Sequence, residues 1–467
     1  MNRRKHLTIL NYAVNGLGMG HITRLIAINT LIRRLCAITN KPVLSLFLTT
    51  SEADTLAHKH SFPAYKIPSM TLSDEGQIPQ KLYRTLSRHW VWNTFALWQP
   101  DISVIDTFPA GNFGELPAIL QDSPKNVFVH RAVREEQKFK PSFQDAIKLY
   151  DSVIRIHEPF EDSRSYTDSD FDDVYTNVPP IILEKRISIE KTEQNTNHIL
   201  VLAGGGGDSN SNDFWSTMVT ISENFPQRQF IFAIGALYRG ATPQRSNITW
   251  VSSELELHHY TDCNFAISAG GFNSVYELLF YKVPTIFYEQ TRKYDDQYQR
   301  ITHLEKMGLC MTLKFATIDS LMDGILNMSE YQCTKIRHAL KEHTWQNGSI
   351  AAAETIIRGY VNPQRLEEAT DSIQAMSDFW ENLSLQDEQL FLDALYTSAL
   401  LIKKANREHS IERTVECTLK FWDYFTQQHS SSDEKRFILK EIRKKNSENN
   451  YIIDQFRSHF FQILQSN

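Results

Sequence analysis

The chain has 467 residues, and its 49 Lys and Arg against 55 Asp and Glu give a formal net charge of −6 with neutral histidines. This length predicts about two to four domains, and 41% apolar with 22% charged residues is the composition of an ordinary soluble globular protein. The mildly acidic balance argues against a protein that binds nucleic acid through clustered cations, and no apolar run approaches the roughly 20 residues of a membrane span.

The first third of the chain alternates short β-branched runs with amphipathic stretches. Between its first two runs, His21–Leu35 has apolar residues at helical spacing, which predicts a helix. The runs that read as strands are Leu7–Val14, Val43–Thr49, Ile102–Ile105, Val127–Val129 and Val153–Ile156. Such alternation predicts a parallel sheet with helices on both faces, and the first run is read as a buried strand rather than a signal peptide.

The alternation stops at about Asn177–Asn197, where two prolines and a polar stretch predict a hinge. It then restarts, which predicts a second α/β domain. The strands expected there are His198–Ala203, Gln229–Ile234, Ile248–Val251, Phe265–Ala269 and Thr285–Tyr288.

The last hundred residues contain no Gly or Pro after Pro363, and apolar residues recur at helical spacing, as in Phe391–Ile402. This pattern predicts an appended helical domain. The expected domains are therefore residues 1–180, 181–360 and 363–467. The five cysteines form no C-x-x-C pair, which excludes a sequence-evident zinc knuckle and predicts reduced thiols in the cytoplasm.

The first chemical motif is Asn15–His21, which joins the first strand to the first helix. Gly18 and Gly20 allow a ligand to approach the backbone closely, and the N–H groups that open a helix favour an anion or an oxygen-rich substrate. The third glycine comes one residue too early for a dinucleotide fingerprint, so NAD is disfavoured. His21 is expected at the carboxyl edge of the sheet, as a functional histidine or as an ordinary polar cap.

The second motif is a strand that ends in Asp106 and is followed by Gly111, Gly114 and Glu115. The carboxylate of Asp106 is then also expected at the carboxyl edge of the sheet. Such a carboxylate can orient a histidine base and stabilise its charge, although a loop-capping Asp is an equal alternative.

The third motif, Ser268–Glu277, again runs from a strand through two glycines into a helix. Gly270 and Gly271 permit close approach to a diphosphate, and the amides of Asn273 and Ser274 at the helix start favour its charge. Glu277 is then placed to accept hydrogen bonds from ribose hydroxyls. After the next strand, Asp296 and Gln297 are candidates to bind the hydroxyls of a sugar.

These motifs, in this order, resemble those of the GT-B nucleotide-sugar glycosyltransferases. The likeness is strongest to the MurG-like group, of the glycosyltransferase 28 C-terminal-domain type, and to predicted bacterial glycosyltransferases with G-L-G-H-x-x-R near the N-terminus, here Gly18–Arg24. Gly271–Glu277 is similar to the G-W-N-S-x-x-E of UDP-glycosyltransferases, with Phe272 at the Trp position. Ala269 stands where many of those enzymes have a diphosphate-binding His, so Gly204–Gly207 is a candidate second phosphate cradle.

The resemblance covers roughly Leu7–Tyr360 and implies a GT-B fold, with two Rossmann-like domains facing a cleft and an additional all-α domain at the C-terminus. It implies a hexosyl or N-acetylhexosaminyl transferase that uses a UDP- or dTDP-sugar, needs no metal or other cofactor, and inverts the anomeric centre with His21 as general base. The acceptor is left open: a small molecule, a lipid-linked group or a protein. The assigned residues are His21 and Asp106 for catalysis, and Gly18, Gly20, Gly205, Gly206, Gly270, Gly271, Asn273, Ser274, Glu277, Asp296 and Gln297 for the nucleotide sugar.

Three other functions remain open at this stage: a nucleotide-sugar hydrolase, a sugar-nucleotide epimerase, and a non-catalytic adaptor that recruits partners through its helical tail. Asp168–Asp170 matches a D-x-D metal motif but lies in a Ser- and Asp-rich loop with no strand before it, so a metal site there is disfavoured.

Overall fold

The computed structural model describes residues 6–14, 18–39, 41–121, 123–131, 141–158, 174–184, 197–204, 211–235, 237–252, 254–290, 295–343 and 345–381. Contacts group Thr8–Thr30 and Leu44–Ile356 into one compact unit, which holds nearly all of both sheets. The second unit includes Leu31–Val43 and the described C-terminal residues 357–381. Most of the predicted helical tail, from residue 382, lies outside the described residues.

The first sheet has seven strands in the order β3-β2-β1-β4-β5-β6-β7. Its strands are β1 (Leu7–Ala13), β2 (Val43–Thr49), β3 (Ala64–Lys66), β4 (Ile102–Asp106), β5 (Asn126–His130), β6 (Ser152–Ile156) and β7 (Tyr175–Val178). The accompanying helices are α1 (Gly20–Ile38), α2 (Thr55–Lys59), α3 (Met70–Glu75), α4 (Gln80–Trp98), α5 (Pro117–Leu120) and α6 (Pro141–Ile147). We call residues 7–178 the first sheet domain.

The second sheet has six strands in the order β10-β9-β8-β11-β12-β13. Its strands are β8 (His198–Leu202), β9 (Gln229–Ala233), β10 (Ile248–Val251), β11 (Cys263–Ala269), β12 (Thr285–Tyr288) and β13 (Met311–Leu313). The helices of this region are α7 (Ser211–Asn224), α8 (Leu257–Thr261), α9 (Phe272–Phe280), α10 (Gln297–Lys306), α11 (Ile318–Asn327), α12 (Glu330–Glu342) and α13 (Ser349–Ile357). We call residues 198–313 the second sheet domain; α14 (Pro363–Glu381) follows it.

Parallel pairing decides which side chains share an edge of each sheet. In the first sheet Ala13 at the end of β1 lies opposite Asp106 at the end of β4, which in turn pairs with Val129 of β5. In the second sheet Ala269 at the end of β11 lies opposite Tyr288 at the end of β12. The chain therefore leaves each of these strands at a carboxyl edge, where parallel α/β sheets bind their ligands.

The predicted architecture of two parallel α/β sheets is confirmed, and each of the ten predicted strands is present. The strands that the sequence pattern missed are the three-residue β3, the four-residue β7 and the three-residue β13, all at the ends of a sheet. An edge strand has a neighbour on one side only, so it needs no continuous apolar run and gives a weak sequence signal.

Helix α4 shows how one face of a helix is anchored to the first sheet. Val91 and Phe95 are buried in the same core cluster as Tyr12 and Phe128, whereas Trp90 is 57% exposed.

Among the described residues, no helix has the length and apolarity to cross a bilayer.

Candidate active site

The first and third sequence motifs meet at two helix N-termini. The Nδ2 atom of Asn273, in the first turn of α9, donates to the carbonyl of Gly20 at the start of α1 over 3.1 Å. Arg24, one turn into α1, reaches back to the Oδ1 atom of Asn273 at 3.4 Å. Two turns that lie 253 residues apart in the chain therefore form one site.

His21 lies at this junction beside the carboxyl end of β4. Its Nδ1 atom is 3.6 Å from the Oδ2 atom of Asp106, too far for a hydrogen bond. Burial lowers the pKa of the imidazole, and Arg24 and Arg131 lower it further, against the opposing effect of Asp106. The lowered pKa favours the neutral ring at pH 7, and with Nδ1 directed at Asp106 the Nε2 atom is the one left to accept a proton.

Asp106 is paired chiefly with Arg24, a residue that sequence reasoning did not assign to the site. The Nη1 atom of Arg24 lies 2.7 Å from both carboxylate oxygens, and the hydroxyl of Thr107 donates to Oδ1 over 2.6 Å. Burial by itself would raise the pKa of Asp106, but the guanidinium of Arg24, with His21 and Thr107, holds that pKa below its usual value. The carboxylate is therefore a buried anion fixed by Arg24 and placed near His21.

Gly270 and Gly271 of the third motif are needed for different structural reasons. A Cβ atom on Gly270 would lie 2.8 Å from the Cγ2 atom of Ile301, so this glycine is required by packing against α10. A Cβ atom on Gly271 would meet nothing closer than the Nε2 atom of Gln297 at 3.9 Å. Gly271 is also the N-cap of α9 and offers no side chain to cap the helix, which leaves the N–H groups of its first turn to an external acceptor.

Phe272, the first residue of α9, lies near two cations. Its ring centroid is 5.7 Å from the Cζ atom of Arg24 and 5.2 Å from that of Arg300. Both distances are within the range of a cation–π interaction. The aromatic residue at the Trp position of the motif therefore interacts with a cation of α1 and with a cation of α10.

Those buried charges form a network between the two sheet domains. Arg300 of α10 donates to both oxygens of Glu158 at 2.7 and 2.9 Å, to Asp295 at 2.8 Å and to the carbonyl of Gly270 at 2.9 Å. Tyr276 of α9 also donates to Glu158, over 3.1 Å. Burial would lower the pKa of Arg300, but Glu158 and Asp295 outweigh it and raise that pKa well above its usual value.

Sequence analysis did not identify this network, because Glu158 and Arg300 lie 142 residues apart and neither belongs to a recognisable motif. A single signal was available: Arg300 falls on the apolar side of an amphipathic helix, where Ile301 and Leu304 are buried. A charged residue at such a position is almost never left without a partner.

The remaining residues predicted to bind the nucleotide sugar interact with other groups of the protein in this structure. Glu277, half-buried in α9, is close enough to Tyr260 to help raise the pKa of its hydroxyl. Asp296 caps α10 by accepting from the N–H of Gln299 at 3.1 Å, and the buried Gln297 accepts from the N–H of Gln290 at 3.0 Å. Their contacts to a nucleotide sugar stay a prediction.

Several predicted features fall outside the described residues, among them Gly205, Gly206 and the Asp168–Asp170 motif. Gly18, just before α1, is described, and its carbonyl accepts from Ser51 at 3.2 Å. No cluster of three or more His, Cys, Asp or Glu that could hold a metal ion occurs in the described part of the chain.

Comparison with known proteins gives one significant match among curated sequences. The chain is 26% identical, over 201 residues, to the UDP-N-acetylglucosamine–N-acetylmuramyl-(pentapeptide) pyrophosphoryl-undecaprenol N-acetylglucosamine transferase of Thermosipho africanus. The match covers 42% of this chain and 56% of that protein, so the chain spans little more than half of the relative's length. No family model matches the sequence.

Solved structures agree in fold. The glycotransferase of kitacinnamycin has a TM-score of 0.53 at 16% identity, with 76% of this chain and 99% of that chain covered. The spinosyn forosaminyltransferase (0.52, 14% identity, 75% and 99% covered) and the calicheamicin glycosyltransferase (0.51, 14% identity, 75% and 98% covered) are similar. The chain therefore has the GT-B fold of glycosyltransferases, and its resemblance to the MurG-type group is confirmed.

Proposed function

We propose that this protein is a glycosyltransferase that moves a hexosyl or N-acetylhexosaminyl group from a UDP- or dTDP-sugar to an acceptor, without a metal ion. The observation that carries the proposal is the contact between α1 and α9 at Gly20 and Asn273. It brings a histidine of lowered pKa to the helix start whose N–H groups favour an anion.

In this proposal the second sheet domain holds the donor. The diphosphate lies at the first turn of α9, beside Asn273 and Ser274, and Glu277 accepts hydrogen bonds from the ribose. Asp296 and Gln297, at the start of α10, bind hydroxyls of the sugar. Gly271 leaves the space that a diphosphate at this turn requires.

The proposed reaction is a single displacement. The Nε2 atom of His21 takes the proton of the acceptor hydroxyl while the acceptor oxygen bonds to the anomeric carbon. The bond between that carbon and the diphosphate oxygen breaks, and its electron pair leaves with the nucleoside diphosphate. Attack from the face opposite the leaving group inverts the anomeric centre, and Asp106 stabilises the imidazolium as it forms.

The nature of the substrates is proposed from the curated relative. That protein is named as a transferase of N-acetylglucosamine from a UDP-linked donor to a pyrophosphoryl-undecaprenol acceptor. By analogy we propose a UDP-linked hexosamine or hexose as the first donor to test and a lipid-linked acceptor as the first acceptor. A cytoplasmic location fits the free, buried thiols of Cys36, Cys263, Cys310 and Cys333.

A ligand screen tests the proposal directly. Thermal unfolding is followed with UDP, dTDP and their sugars, since a ligand at 100 times its dissociation constant adds about 2.7 kcal/mol to stability. We expect at least one nucleoside diphosphate to stabilise the protein while free hexoses do not. Release of the nucleoside diphosphate is then measured with and without candidate acceptors. Release that needs no acceptor indicates a hydrolase, and no stabilisation by any nucleoside diphosphate contradicts the proposal.

A further inference from the structure

Arg131 lies next to the proposed reaction centre, although no motif marked it. It directly follows β5, which pairs with β4 so that Val129 lies opposite Asp106. This places Arg131 just beyond the same carboxyl edge. Its guanidinium comes within 3.8 Å of Asp295, the second-sheet-domain residue that precedes Asp296, and its side chain keeps 15% exposure.

The hydrogen-bonding capacity of Arg131 is not used up by these neighbours. The 3.8 Å separation from Asp295 is an ion pair but too long for a hydrogen bond. The buried Nε atom of Arg131 has no hydrogen-bond partner among the residues that the structure describes. The Nε atom of Arg24 also has no partner among those residues, but Arg24 and Arg300 each donate to a carboxylate at 2.7 Å through another guanidinium nitrogen.

The charges that act on Arg131 come from both sheet domains. Burial lowers its pKa; Asp295 and Asp106 act against that effect, while Arg24 and Arg300 add to it. Arg131 in turn helps to lower the pKa of His21. A mostly desolvated cation with an unused donor is costly, and a bound anion that accepts its hydrogen bonds removes part of that cost.

We propose that Arg131 binds an oxyanion of the substrate, namely the diphosphate of the nucleotide sugar. The proposal rests on the proposed function and assigns to the first sheet domain a cation that contacts a ligand held mainly by the second. Negative charge grows on the diphosphate as its bond to the sugar breaks, so a fixed guanidinium there stabilises the transition state more than the ground state. The carboxylate of an acidic sugar is another oxyanion that a guanidinium binds, and the experiment distinguishes it from the diphosphate.

The test compares Arg131→Gln and Arg131→Lys with Arg84→Gln, which removes a cation from the exposed face of α4. Isothermal calorimetry measures binding of pyrophosphate, UDP, UDP-glucose, UDP-glucuronic acid and uridine to each full-length protein. We expect Arg131→Gln to weaken UDP and pyrophosphate about 10- to 100-fold, the effect of losing a hydrogen bond to a charged group. We expect Arg131→Lys to lose less, and uridine binding and the Arg84→Gln protein to be unchanged.

The pattern of affinity losses distinguishes the possible roles of Arg131. A loss limited to UDP-glucuronic acid identifies the bound oxyanion as a sugar carboxylate and overturns the assignment to the diphosphate. Equal losses for uridine and UDP show a structural role and overturn the inference, and so do unchanged affinities for every anionic ligand. If the wild-type protein binds none of the nucleotides, the proposed function itself fails, and the inference fails with it.

Discussion

The pair formed by Arg24 and Asp106 gives the sharpest test of the site, because it requires no knowledge of the substrate. Both side chains are fully or almost fully buried, and the Nη1 atom of Arg24 lies 2.7 Å from each carboxylate oxygen. Removing one partner of such a pair leaves an unpaired buried charge, which costs about 3–5 kcal/mol. Replacing both partners by neutral residues avoids that cost and is often close to neutral.

We therefore expect Arg24→Met and Asp106→Asn each to lower the free energy of unfolding by about 3–5 kcal/mol, and the double variant to lose no more than either single one. The assay is urea denaturation followed by tryptophan fluorescence at pH 7. The folded-state pKa of Asp106 lies below its usual value. The stabilisation from its ionised form is therefore complete above about pH 4 and lost as the pH falls through the lowered pKa, so pH 7 reports the intact pair.

A matched control is the ion pair between Arg245 and Glu223, which has a similar length of 3.1 Å but is exposed, at 43% and 53%. Its coupling energy should stay below about 1 kcal/mol. Losses of Arg24→Met and Asp106→Asn that simply add in the double variant contradict the expected coupling of the pair. Single losses as small as those of the control pair refute it equally.

The remaining predictions concern the proposed reaction and its donor. His21→Ala should lower kcat about 10²- to 10⁴-fold with unchanged donor affinity, and a variant that keeps more than about a tenth of wild-type turnover excludes His21 as the base. The acid limb of the kcat/KM profile should lie below pH 6.5, because the pKa of His21 is lowered. Asp106 raises that pKa and Arg24 lowers it, so Asp106→Asn should move the limb to lower pH and Arg24→Met to higher pH. If the acid limb stays at the wild-type pH in both variants, it does not report the pKa of His21. Glu277→Ala should weaken donor binding about 10- to 100-fold in calorimetry. Tyr260→Phe, which removes a hydroxyl that interacts with Glu277 but keeps the carboxylate, should not. Equal affinities in wild type and Glu277→Ala would place that residue outside the donor site.

Much of the architecture follows from local patterns in the sequence. Short β-branched runs that alternate with helical spacing predicted the central strands, and Val43–Thr49, Ile248–Val251 and Thr285–Tyr288 are predicted to the residue. Glycine-rich turns at strand ends also marked the starts of α1 and α9. These features are local, since a buried parallel strand or a strand-to-helix turn needs a particular composition wherever it occurs.

The pairing of the charged groups was decided only by the tertiary structure. Asp106 was expected to serve His21, yet its two oxygens are held by Arg24, 82 residues away in the chain. Glu158, Asp295 and Arg300 carried no motif, and their network exists because two separate sheets bring their carboxyl edges together. Periodicity records which face of an element is buried. The partner of a buried charge depends instead on the register and packing of distant segments, and no local pattern encodes those.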